Sequence, residues 1–130
     1  MGWRYVDRGD PSNYDIRFGY DPENWVPIQD AEFHDLDFSG VVPLEAKKVR
    51  LNVVVRADNQ LRTFEIRRPD QQYMYNVNAI TTQVGGVHIR GQWEVMVDST
   101  RILKYYCTRA STGYQFNMIC ITVEGWWVED

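Results

Sequence analysis

The side chains best suited to chemistry are few: Cys107 and Cys120, His34 and His88, the acids Asp30, Glu32, Asp35 and Asp37, the glutamates Glu65 and Glu94, and the tripeptide Arg8-Gly9-Asp10. A cysteine becomes a nucleophile or metal ligand when a neighbouring base or cation favours its thiolate. Neither cysteine has a histidine at a supporting spacing. A disulfide is tested by geometry: a tight hairpin at Ser111-Thr112-Gly113 sets Cys107 opposite Phe116 and Cys120 opposite Leu103. At about 3.3 Å per residue the two sulfurs are then too far apart to bridge, so two reduced, mostly buried thiols are expected. The acids around His34 offer hard oxygen ligands but lack the spaced Asp/Asn and Gly of a calcium loop. Alternation also sends Glu32 and Asp35 to opposite faces. His34 and His88 read as single histidines on polar faces, and nothing sets Glu65 opposite Glu94 as an acid pair. The Asp10-Pro11 step makes Arg8-Gly9-Asp10 a turn rather than an adhesion motif. No catalytic residue, metal or cofactor is expected, and the chain is read as a non-enzyme.

Aromatic residues carry more information. Five Trp and eight Tyr, with five Phe, bring the aromatic share to 14%, and exposed Trp and Tyr rings serve both as sugar-stacking platforms and as anchors of protein interfaces. Trp126 and Trp127 are adjacent, so on a strand one enters the core and the other faces outward; Tyr105 and Tyr106 repeat the arrangement. Trp3, Tyr5, Tyr14, Phe18, Tyr20 and Trp25 crowd the first part of the chain. A subunit interface is expected at these six rings together with Trp126 and Trp127.

The elements that must position them read as strands. The length of 130 residues corresponds to one domain, and 44% hydrophobic with 25% charged is an ordinary globular balance. Lys47 to Ala57 alternates with period 2, placing Val49, Leu51, Val53 and Val55 inward and Lys48, Arg50 and Arg56 outward. Leu61–Arg68 and Tyr73–Ile80 follow. A twelve-residue alternation from Val87 to Asp98 comes next, then a closing hairpin of Arg101–Cys107 and Tyr114–Glu124. The expected inward set is Val49, Leu51, Val53, Val55, Phe64, Ile66, Val87, Ile89, Trp93, Val95, Ile119, Ile121 and Val123. No window shows an amphipathic helix, and short strands with frequent turns read as an all-β sandwich or barrel. Residues 1–40 differ. Pro11, Pro22 and Pro27 interrupt them, only Ala31 to Phe38 alternates, and three Arg stand against nine Asp or Glu. They read as an extended, acidic, aromatic arm ahead of a sandwich domain at 41–130. Charge would steer the arm to a surface like that of Lys48, Arg50 and Arg56, on a neighbouring subunit or host assembly in preference to its own. The net charge of −4 argues against a nucleic-acid partner. No apolar run reaches the length of a membrane span, and none at the start reads as a signal peptide.

From Val41 to Trp127 the order of segments resembles a set of small β-sandwich modules of phage and phage-like virion proteins. The residues that carry the resemblance begin with Pro43-Leu44-Glu45-Ala46-Lys47-Lys48 and its following Val/Leu alternation, Thr63-Phe64-Glu65-Ile66-Arg67, and Tyr75-Asn76-Val77. Thr81-Thr82-Gln83-Val84 follows, with Thr81 where those modules have arginine, then Asp98-Ser99-Thr100-Arg101-Ile102-Leu103-Lys104-Tyr105 and the closing Val123-Glu124-Gly125-Trp126-Trp127. Residues 1–40 have no counterpart. The resemblance implies a jelly-roll-like antiparallel β-sandwich without known catalysis, serving as a capsid decoration, head-fibre or tail-associated subunit. The function expected is therefore a structural protein, made in the host cytoplasm and carried on a virion. It would self-associate, with a homotrimer favoured, and bind capsid or tail proteins. The alternative from another class is a carbohydrate-binding module in which Trp126 or Trp127, with Tyr105 or Tyr106, stacks on a glycan.

Overall fold

A computed structural model describes residues 2–18, 31–57, 62–68, 78–108 and 116–130. Among the described residues nine strands are present: β1 (Trp3–Asp7), β2 (Ile16–Phe18), β3 (Phe33–Asp37), β4 (Lys48–Ala57), β5 (Thr63–Arg67), β6 (Asn78–Thr81), β7 (His88–Met96), β8 (Ile102–Cys107) and β9 (Phe116–Glu129). They form two antiparallel sheets, with no helix among the described residues. The first sheet runs β1-β9-β4-β7, and β2 also pairs with β9; the second runs β3-β8-β5-β6. β1 pairs with residues 125–129 of β9 and β2 with residues 119–121, so the two short strands share one edge end to end. Each sheet then has four strand positions, and the all-β sandwich expected from period-2 patterning is the architecture found.

The inward residues of both sheets close one core. Val49, Leu51, Val53, Val55, Phe64, Ile66, Trp93, Val95, Leu103, Phe116, Ile119, Ile121 and Val123 are buried. Two members of the expected inward set differ. Val87 is 48% exposed because it precedes β7 and lies in its approach turn, and Ile89 is half-buried at the start of that strand. Gly91 makes room on the inner face: a side chain there would meet the Trp93 indole, which stacks on Phe64 at 6.0 Å between centroids.

The expected closing hairpin does not form. β8 pairs with β3 and β5 in one sheet, β9 with β1, β2 and β4 in the other. Each strand has one apolar face, and that requirement is met equally by a hairpin or by an arch between sheets. Cys107 and Cys120 are both buried thiols not joined in a disulfide, as expected, but for another reason. Cys107 faces the core from the second sheet, while Cys120 follows the outward parity of β9 beside Val54.

Residues 1–40 contain three strands of the sandwich itself. Of their described parts, β1 and β2 complete an edge of the first sheet and β3 an edge of the second. His34 is half-buried on the inner side of β3, with its ring 5.6 Å from Tyr105, rather than on a polar face. The third expected strand is described only from Asn78 onward; its residues 73–77 lie outside the described residues.

Arg101 ties the far end together. It has φ 58°, and its guanidinium donates to the carbonyls of Val42 at 3.0 Å and Ser39 at 3.3 Å. Asp98 supports the same turn by accepting from the Thr100 amide at 2.9 Å, and its bonds to Thr100 hold its carboxyl below the usual range.

Candidate functional site

The outer face of the first sheet gathers rings and cations. A bulge in β9 sets Arg50 opposite Gly125 but Leu51 opposite Val123, which leaves Glu124 as the extra residue. That shift reverses the parity of the strand: Val123 and Trp126 both face inward, and Trp127 faces out. Trp126 packs on the core, and Trp127 lies across from Lys48 of β4 and Tyr5 of β1. One outward row therefore runs Tyr5, Trp127, Lys48 and Met96, with Trp3 beyond it and Arg50 and Glu94 in the next row.

The contacts within this face are close. Tyr5 and Trp127 have ring centroids 4.8 Å apart. The Lys48 ammonium lies 4.3 Å above the Trp127 ring and 5.9 Å from Trp3; the Arg50 guanidinium lies 4.9 Å from Tyr5 and 5.1 Å from Trp127. Such cation–π contacts contribute about 0.5–1 kcal/mol each at partly exposed sites. Glu94 closes the group with Nζ of Lys48 at 2.9 Å and Nη2 of Arg50 at 3.3 Å. The bond from Lys48 lowers the Glu94 pKa most and Arg50 lowers it further, while burial opposes both. Desolvation raises the Tyr5 hydroxyl above its ordinary value, with the Arg50 charge working against it.

Gly125 is what admits Tyr5. A Cβ at this position would stand 2.3 Å from Tyr5 Oη and 2.4 Å from the Val6 carbonyl oxygen, closer than atoms pack. Beside it, β9 has no strand partner between β1 and β2, and two side chains fill in. The Val123 amide donates to Asp15 Oδ2 at 2.7 Å, the Val123 carbonyl accepts from Arg8 Nη1 at 3.1 Å, and Arg8 and Asp15 pair with each other. Arg8 is thus a clamp on β9, and Gly9 (φ 96°) turns the chain after it with its amide on Asp7 Oδ1.

The eight rings expected to make an interface are therefore divided. Trp3, Tyr5 and Trp127 share the outer face, with Trp3 43% exposed. Trp126 lies on the opposite side of β9 and lines a groove of about 640 Å³ with Arg4, Lys47 and Val128. Tyr14 is exposed on the β1–β2 connection, and Phe18 contributes its backbone to β2, opposite Ile119. Tyr20 and Trp25 lie outside the described residues. The meeting of acidic-segment rings with Lys48 and Arg50 does occur, but Trp3 and Tyr5 make it within their own chain, whereas a neighbouring chain was expected. Met96, 36% exposed, and Glu94 were not anticipated; only the β4–β7 register places them there.

Among the described residues no group of three or more His, Cys, Asp or Glu comes together as a metal site. No family model matches the chain, and searches of curated proteins and of solved structures likewise return no match.

Proposed function

We propose that the chain is a non-enzymatic structural protein of a virion-type assembly, a jelly roll that self-associates and attaches to capsid or tail proteins through the outer face of its first sheet. The observation that carries this reading is the composition of that face. Trp3, Tyr5, Trp127 and Met96 surround cations already paired with Glu94, and aromatic residues, Met and Arg are the types enriched where proteins bury surface against each other. Both cations already pair with Glu94, so covering the face would bury no lone charge, although taking the pairs out of water still costs free energy that the buried rings must offset.

The strand order supports the jelly roll. With β2 taken as the first of eight positions, the sheets read β2-β9-β4-β7 and β3-β8-β5-β6, so β2 and β9 are neighbours, as are β3 and β8, and the chain winds between the layers as two Greek keys. Jelly rolls of this kind occur in viral capsid proteins and in lectins. The acidic N-terminal segment then acts as a strap that fixes Trp3 and Tyr5 on the attachment face.

A second reading, carbohydrate binding, rests on one observation: Trp3 is 43% exposed with the Lys48 ammonium 5.9 Å from its ring, whereas Trp126 or Trp127 with Tyr105 or Tyr106 makes no common platform, because Tyr105 is buried and Tyr106 belongs to the other sheet. Tagged protein expressed in its native host separates the two. Recovery with sedimenting particles that carry capsid or tail proteins, lost in Trp3→Ala with Met96→Ala, is the expected result. Recovery free of particles, with a glycan-array signal lost in Trp3→Ala, would overturn it in favour of carbohydrate binding.

A further inference from the structure

β7 ends the first sheet, and its nine residues His88–Met96 pair with β4 on one side only among the described residues. In an antiparallel strand the amide and carbonyl of one residue point the same way, and successive residues alternate. Two contacts say which residues point outward. The Val97 amide donates to Lys47 on the β4 side at 3.1 Å, whereas the Glu94 carbonyl accepts from Asn78 Nδ2 of β6, off the sheet, at 3.1 Å. His88, Arg90, Gln92, Glu94 and Met96 therefore direct their backbone groups to the open edge. A long open edge invites another strand unless its side chains prevent it.

Here the side chains favour one partner, a second copy of the same strand. We infer that two chains join through β7, antiparallel about a two-fold axis at Gln92. This rests on the proposed self-association and names its surface. In that register Arg90 of each copy lies beside Glu94 of the other, and Gln92 faces its own copy. On the inner face Ile89 meets Val95 and Gly91 meets Trp93, so the indole that already covers Gly91 in its own chain borders the glycine of the next. Neighbouring registers lose these pairs, and centring the axis on residue 90 or residue 94 opposes Arg90 to Arg90 or Glu94 to Glu94. Like charges directly opposite destabilise a strand pair, so charge selects the register as well as the partner. The Glu94 carbonyl keeps a second lone pair for the new ladder bond beside Asn78. The two first sheets become one continuous sheet, with both Trp3–Trp127 faces free for attachment.

Light scattering of the full chain over a range of concentrations tests this, with circular dichroism to verify folding. The wild type is expected to reach the mass of two chains, or of an even multiple. Arg90→Glu puts four acids around the axis and should raise the dissociation constant about tenfold or more, as two symmetric pairs are lost together. Arg90→Lys should keep the pairing. Gln92→Pro removes an edge-facing amide that β4 does not use, so it should leave a folded monomer. An assembly of three chains, or an oligomer unchanged by Arg90→Glu and Gln92→Pro, would overturn the β7 pairing and leave self-association standing. A wild type that stays monomeric throughout would overturn both.

Discussion

Gly125 shows how much one residue can carry without side-chain atoms. Tyr5 occupies the space a Cβ would need, so Gly125→Ala must displace the phenol and with it the Val6 backbone. Overpacking of this kind costs about 1–3 kcal/mol; a lowered denaturation midpoint and loss of the Tyr5–Trp127 contact in fluorescence are expected. The Gly-Trp-Trp ending was legible as a motif, but the need for glycine was not, because the atom it yields to lies on β1, more than a hundred residues away. Arg101 is similar: Asp98-Ser99-Thr100 reads as a turn, yet only the fold brings the Val42 and Ser39 carbonyls to the guanidinium. Glu94 gives the face a pH dependence. Its pKa is lowered in the folded chain, so its pairing stabilises the protein above the unfolded carboxylate pKa, and that contribution is lost as pH falls through the folded value. With the side chain 42% exposed, the effect is screened to well under about 1 kcal/mol. Glu94→Gln should flatten the acid limb of a stability–pH curve slightly, and an unchanged limb would mean that the ion pairs contribute nothing.

At the scale of elements, β4 and the inward parity of β7 and β9 followed from alternation, because each strand is long enough to show its period, and that of β5 followed because its five residues sit within the longer alternating run Leu61–Arg68. The strands inside residues 1–40 did not, apart from the Ala31–Phe38 segment. β1 has five residues and β2 three, too short for a period to emerge, and both owe their conformation to the edge of β9 rather than to their own pattern. The placement of β8 and β9 in different sheets escapes alternation for a related reason, since alternation specifies a buried face without specifying the sheet. What holds the gap between β1 and β2 is the Arg8–Asp15 clamp on Val123. Asp15 has a side chain only 9% exposed, so Asp15→Ala leaves the Arg8 charge and the Val123 amide without their acceptor. A loss of about 1–3 kcal/mol is expected, together with faster hydrogen exchange at the Val123 amide. Exchange unchanged at that amide would mean that water replaces Asp15 and the clamp is dispensable.

At the scale of the whole molecule, the described N-terminal strands β1 and β2 are joined to the sandwich along the β9 edge. β1 and β2 supply the outer neighbours of a fourteen-residue strand. An arm docked on another subunit could be removed from a stable sandwich, but this segment cannot be removed so cleanly. Deleting residues 1–30 would expose the ladder groups of β9 along most of its length, uncover Gly125 and Trp127, and leave Lys48 and Arg50 without the rings of Trp3 and Tyr5. A long, flat, partly apolar edge pairs with whatever strand it meets. The expected outcome is a lowered thermal midpoint and open-ended association in light scattering, in contrast to the closed assembly proposed for the full chain. Truncated protein that stays folded, with the same midpoint and a discrete mass, would show that β9 needs no cover and that β1 and β2 serve attachment alone.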